Sequence, residues 1–192
     1  DKSYNRKVLA YEGYRDAGQP VIEQFHAHLR QNGAFYSVTL WTEQPDRDFL
    51  RRWGLDDNGA LYKAGFNGGA NATYETVTAF EKKTRLTEGN ADLQALINGL
   101  ALPGNALESF VFDNVDLPGM VNVTAIVAMQ QNIDASDKNH YLYRDTLGTR
   151  EWRFLPWDLD LTFGPDALNT DTIVFNQQNT NTPYAPSHPA PP

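Results

Sequence analysis

The sequence predicts an α+β fold: N-terminal antiparallel hairpins, a helical segment, then a loop and a second β-hairpin. Three observations carry the prediction. Asn32-Gly33 sits between two alternating apolar runs, the strongest short hairpin signal. Residues 91–102 and 117–133 place apolar side chains near every third or fourth position, the helical period. Residues 139–145 and 151–163 alternate again on either side of Thr146-Leu147-Gly148-Thr149-Arg150, a turn between two strands.

Taken in order, the first hairpin occupies strands over 24–30 and 35–43. Pro45 and the acidic residues behind it start a short helix that carries Phe49, Leu50 and Trp53 at helical spacing and stops at Gly54. A turn at Asp56-Asp57-Asn58-Gly59 leads into a brief strand holding Lys63, and the Gly- and Asn-rich residues 65–75 read as a loop. Side chains two apart on a strand share a face. The last strand is therefore expected to send Trp152, Phe154, Asp158 and Asp160 one way and Leu155, Trp157, Leu159 and Leu161 the other. After Gly164 the pattern dissolves. Residues 176–192, with five prolines in the last ten positions, lack the apolar content to offset ordering entropy and read as a disordered tail or linker behind a domain spanning 1–175.

Composition sets outer limits on function. At 192 residues, 41% hydrophobic and 12% aromatic, the chain can fill a core. A net charge of −8, with basic residues scattered, argues against a surface built to hold nucleic-acid phosphates. The absence of cysteine excludes disulfides, thiolate metal sites and a cysteine nucleophile. No apolar run approaches the roughly 18 residues of a membrane-spanning helix, so no transmembrane segment is expected.

The chemistry concentrates between residues 132 and 164, where Asp134, Asp137, Asn139, Asp158 and Asp160 stand among aromatic side chains. Two like charges about 4 Å apart repel by roughly 4 kcal/mol at an effective dielectric of about 20, so gathered carboxylates call for a cation or a proton. Asp134 and Asn139 are five apart on a loop between a helix and a strand, and the aspartates return one hairpin later. Phosphoryl transfer uses this inventory: an Asp near the accepting hydroxyl, an amide oxygen and a carboxylate on Mg²⁺, and a Lys on the phosphates. The protein-kinase catalytic loop has the same Asp-x-x-x-x-Asn spacing, followed by a hairpin and a metal-binding Asp. Asp134 is thus the candidate catalytic residue, Asn139, Asp158 and Asp160 are candidate metal ligands, and Lys63 is the candidate phosphate contact. Glu43 ends the preceding strand and has two partners open to it: Lys63, as kinases pair Lys with Glu, or Arg51 and Arg52 on the next helix. A carboxylate pair flanking a sugar, as in glycoside hydrolysis, accounts for the Asp-x-x-x-x-Asn spacing less well.

"NIDASDKNHYLYRD" followed by "WRFLPWDLDLTFG" resembles the signature of the spore coat protein H (CotH) kinase family. Asp134, Asn139, Tyr141, Leu142, Tyr143, Pro156, Trp157, Asp158, Asp160 and Gly164 fall on its pattern. Upstream, "LRQNGAFYSVTLWTEQPDRDFLRRWGLDDNGALYK" is similar to the family's run of strand, Asn-Gly turn, strand ending in Glu, helix and Leu-Tyr-Lys, so the resemblance covers about residues 25–166. It implies an atypical protein-kinase-like fold, secreted or surface-associated and hence extracytoplasmic. Such a domain uses ATP with Mg²⁺ or Mn²⁺ to phosphorylate Ser or Thr hydroxyls of a surface or coat protein. The sequence departs from the pattern at His140, often Tyr or another aromatic, and at Ala135, commonly Arg. The family domain also continues into further large-lobe helices, whereas this sequence turns Pro-rich; a truncated or minimal member is expected. The rival reading is a non-catalytic coat or surface scaffold that keeps the fold and a metal site.

Other features read as structural. His26 and His28 share a strand face without a third ligand nearby and read as a surface pair. Gly65-Phe66-Asn67-Gly68-Gly69 lacks the Lys-Ser/Thr of a P-loop and reads as a flexible loop. Asn71 and Asn122 open glycosylation triplets, the second inside a predicted helix. Tyr141, Tyr143 and Trp152 read as core.

Overall fold

The computed structural model of the chain describes residues 5–65, 74–132, 135 and 138–163. Five helices and six strands follow in order among them: α1 (Asn5–Asp16), β1 (Gln24–Gln31), β2 (Ala34–Thr42), α2 (Arg47–Arg52), β3 (Ala60–Ala64), β4 (Phe80–Lys82), α3 (Ala91–Leu100), α4 (Gly104–Asn114), α5 (Leu117–Gln130), β5 (His140–Arg144) and β6 (Trp152–Pro156). The architecture is α+β with antiparallel sheets, as the sequence predicts.

Local chemistry explains most of these elements. Asn32 and Gly33 both take positive φ, 51° and 82°, the backbone that matches the twist of a two-residue hairpin between β1 and β2. Asp46 caps α2 by accepting from the N–H groups of Asp48 and Phe49, and Gly54 (φ 66°) follows the helix in the left-handed region. Asp116 caps α5 through the Gly119 N–H.

β1 and β2 form a sheet of their own, with Phe25 stacked on Trp41 at 4.9 Å. The other four strands lie in the order β4-β3-β5-β6. Both faces of this sheet are covered. Leu61, Tyr141, Tyr143 and Leu155 enter one core cluster with Ala10, Tyr11 and Tyr14 of α1, Phe49 and Leu50 of α2, and Val123, Ile126 and Val127 of α5. Tyr62, Leu142 and Trp152 enter another, with Phe80 and with Leu93, Leu96 and Ile97 of α3. Alternation along β3 and β5 therefore sorts apolar side chains to two cores rather than to core and water. Each fully buried Leu contributes about 1.5–3 kcal/mol.

Three features depart from the sequence reading. α1 forms although its buried face is built from two tyrosines and an alanine instead of an aliphatic stripe. α4 forms with no side-chain cap and no fully buried residue; it is held against α3 by Phe110, whose ring lies where a Cβ at Gly99 would stand. The last strand ends at Pro156. Asp158 then takes left-handed backbone (φ 52°), and Leu159–Leu161 form a 3-10 turn. The expectation that Asp158 and Asp160 share a strand face with Trp152 and Phe154 is corrected: one left-handed residue ends the alternation and turns Leu159 into the core, 1% exposed. Aspartate is among the few non-glycine residues that enter this region readily.

Candidate active site at the strand ends

Antiparallel pairing decides which polar residues meet. β3 and β5 align Lys63 with Tyr141, and β5 and β6 align His140 with Pro156. The C-terminal ends of β3 and β6 and the start of β5 therefore meet at one end of the sheet. Lys63, Asn139, Trp157 and Asp158 come together there.

Contacts lock this corner. The Trp157 N–H donates to the Asn139 carbonyl at 3.0 Å, extending the β5-β6 ladder one step beyond the strands. Asn139 takes φ 60°, a position that asparagine tolerates. The Trp157 ring stands edge-on to Tyr141 at 5.5 Å and carries the Lys63 ammonium 5.4 Å from its centroid. Among the described residues no carboxylate pairs with Lys63.

The Asp158–Asp160 turn is gripped by α1, an element the sequence reading did not provide. The Lys7 ammonium meets Asp158 Oδ1 at 2.5 Å, the Asp158 N–H donates to the Tyr11 hydroxyl oxygen at 3.1 Å, and Arg6 Nη1 donates to the Asp160 carbonyl at 3.2 Å. Lys7 and Tyr11 are four apart, on one helix face. Burial pushes the Tyr11 phenol well above its usual range, so it stays protonated. The Lys7–Asp158 pair itself remains open to solvent, with side chains 31% and 40% exposed.

Behind the corner lies His140, fully buried, its ring stacked on Phe154 at 4.5 Å. Burial pushes its pKa down to about 4, so the imidazole is neutral near pH 7. Nδ1 lies 3.0 Å from the Lys138 carbonyl, which can only accept, so the proton sits on Nδ1 and Nε2 accepts from the Tyr74 hydroxyl at 2.9 Å. This side chain fixes the backbone just before Asn139. A cavity of about 350 Å³ between α3, α4, α5 and the sheet is lined by apolar residues such as Leu96, Met120, Val127 and Phe154; among the described residues no carboxylate lines it.

Glu43 does not meet Lys63. Its carboxylate takes Arg52 at 2.5 Å and the Glu23 N–H at 2.8 Å, because α2 follows β2 directly and brings Arg52 back over the end of the hairpin. Asp134 and Asp137 lie outside the described residues, as do residues 66–73 with the Asn71 triplet and residues 164–192 with the tail. The buried state of Tyr141, Tyr143 and Trp152 agrees with the sequence, and His26 and His28 are exposed on β1.

Asp158, Asp160 and Asn139 offer oxygen donors of the kind a hard divalent cation takes. Among the described residues no three His, Cys, Asp or Glu side chains gather as a metal cage. Mg²⁺ does not need one, since it takes one or two carboxylates and completes its shell with water and phosphate oxygens. Asp158 already holds a cation, the Lys7 ammonium, on a partly exposed carboxylate, one residue after the Trp157 that bonds the Asn139 carbonyl.

These residues define a mixed α+β domain with a lysine, an amide and a carboxylate at one end of an antiparallel sheet. The CotH kinase protein family model matches residues 1–188 of the 192, so the chain belongs to the CotH kinase family. The match is wider than the 25–166 that the motifs span and takes in α1. No curated protein sequence matches the chain. Among the described residues no helix is long and apolar enough to cross a membrane.

Proposed function

We propose that this domain transfers the γ-phosphate of ATP to Ser or Thr hydroxyls of a protein acceptor, at the surface or in a coat outside the cytoplasm. The 3.0 Å bond between Trp157 N–H and the Asn139 main-chain carbonyl carries the reading, because it ties the backbone at the Asn of the Asp-x-x-x-x-Asn loop to the residue beside Asp158. Family membership points the same way, toward a kinase-like role. In this reading Asn139, Asp158 and Asp160 would hold Mg²⁺ or Mn²⁺, which would supply positive charge beside the phosphates. Lys63 binds phosphate oxygens: its ammonium lies over an indole, and among the described residues no carboxylate neutralises it. Asp134, five residues before Asn139, orients the acceptor hydroxyl and takes its proton.

Calorimetric titration of ATP with and without Mn²⁺, followed by transfer of labelled phosphate to Ser-bearing proteins, tests this. ATP should bind only with metal, Asp158→Ala or Asp160→Ala should abolish binding, and Asp134→Ala should keep binding while losing transfer. ATP binding with metal but no transfer by the parent chain would favour the non-catalytic scaffold, and metal-independent binding or none would overturn the metal assignment.

A further inference from the structure

The sequence offers one lysine for the phosphates, Lys63; the structure brings a second. Lys7 arrives from α1 at Asp158 while Lys63 lies over the Trp157 ring, so ammonium groups from two separate elements approach adjacent residues. With Arg6 on the Asp160 carbonyl, three cationic side chains touch a segment that carries two carboxylates. Lys7 and Lys63 thus offer two ammonium groups to an anion at this corner.

The way α1 holds the turn separates structure from exchange. The main chain is fixed by Tyr11 at the Asp158 N–H and by Arg6 at the Asp160 carbonyl, and neither bond uses the Asp158 carboxylate. Only Lys7 does, and that pair is open to solvent. The carboxylate can change partner without releasing the turn.

On the metal and ATP reading given above, we infer that Lys7 is a nucleotide-binding residue with two settings. Without a divalent cation its ammonium neutralises Asp158. When Asp158 takes a divalent cation, the ammonium is left without its anion beside that cation, and its flexible four-carbon stem lets it turn to a phosphate oxygen of the bound nucleotide. Lys7 thus opposes free metal and favours metal with nucleotide, which makes the two ligands bind cooperatively.

Those opposite signs are the test. Free Mn²⁺ is followed by electron paramagnetic resonance, and ATP binding in saturating Mn²⁺ by calorimetry, on the parent chain and on Lys7→Met, Lys7→Arg and Asp158→Asn. Lys7→Met should tighten Mn²⁺ alone by roughly threefold, the worth of a partly exposed ion pair. It should weaken ATP by about tenfold or more, the worth of a hydrogen bond to a charged group. Lys7→Arg, which keeps the charge and the packing of α1, should stay within about threefold of the parent on both. A merely structural Lys7 would show both affinities falling together in Lys7→Met; that result, or ATP affinity unchanged, overturns the inference and leaves the metal reading standing. If the parent binds Mn²⁺ and Asp158→Asn binds it equally well, the metal assignment itself is wrong and this inference falls with it; a parent that binds no Mn²⁺ has the same consequence unless Lys7→Met binds it, which would be competition in its strongest form.

Discussion

The rings of His140 and Tyr74 lie nearly parallel, 7° apart, and share a hydrogen bond of 2.9 Å across 66 positions of sequence. This contact ties the start of β5, next to Asn139, to the residue that follows positions 66–73. Its strength depends on a neutral imidazole.

Stability should therefore fall on mild acidification. The folded pKa of His140 is pushed down to about 4 from 6.5, so the unfolded chain takes up a proton first as pH drops. The contribution is constant above about pH 6.5, declines by up to roughly 1.4 kcal/mol per pH unit below it, and levels off near pH 4. Urea unfolding between pH 7 and pH 4 should show this slope, and His140→Phe should flatten it relative to the parent.

Glu43 and Lys63 should separate cleanly. Glu43→Gln weakens the contact to Arg52 and should cost about 1 kcal/mol of stability without changing ATP affinity. Lys63→Met loses the contact with the Trp157 ring, worth about 0.5–1 kcal/mol, and should weaken ATP binding by about tenfold. A Glu43→Gln variant that loses ATP with intact stability would restore the Lys–Glu pairing which the geometry rejects.

Tyr11→Phe should destabilise the chain by about 1–3 kcal/mol, because it removes the acceptor of the Asp158 N–H. The loss should appear in denaturant midpoints, and Mn²⁺ affinity should fall with it as the turn loosens. Unchanged Mn²⁺ affinity would separate Tyr11 from the site.

Gly99→Ala gains up to about 1 kcal/mol of helix propensity but drives a methyl group into the Phe110 ring, a clash worth roughly 1–3 kcal/mol. A net loss near 1 kcal/mol is expected in thermal unfolding, and Phe110→Leu in the same chain should recover most of it.

Much of this was legible because local rules decide it. Asn32-Gly33 dictates its turn, Asp46 and Gly54 bracket α2, and alternation in β5 and β6 pairs them correctly. The paired strands in turn bring Lys63 and Asn139 together. What stayed hidden depends on distant partners. α1 has a tyrosine face that makes sense only against α5 and the Leu159 turn, and Lys7 and Arg6 gain meaning only from residues some 150 positions away. The left-handed Asp158 broke a period-2 reading that a single backbone angle can undo, whereas Glu43 took Arg52, one of the partners the sequence left open, because the nearer cation won.

The grip of α1 on the Asp158 turn joins positions 151 residues apart, so it sets when the site can come into being. During synthesis α1 emerges about 150 residues ahead of the turn it grips; at roughly 5–20 residues per second the aromatic face of the helix waits on the order of ten seconds for its cover. β1-β2 and β5-β6 can close as local hairpins, whereas the corner with Lys7, Trp157 and Asp158 needs the most distant loop closures in the described chain. A nascent or clipped chain would thus carry hairpins but no charged corner, and any ligand that engages the corner would report on completed folding.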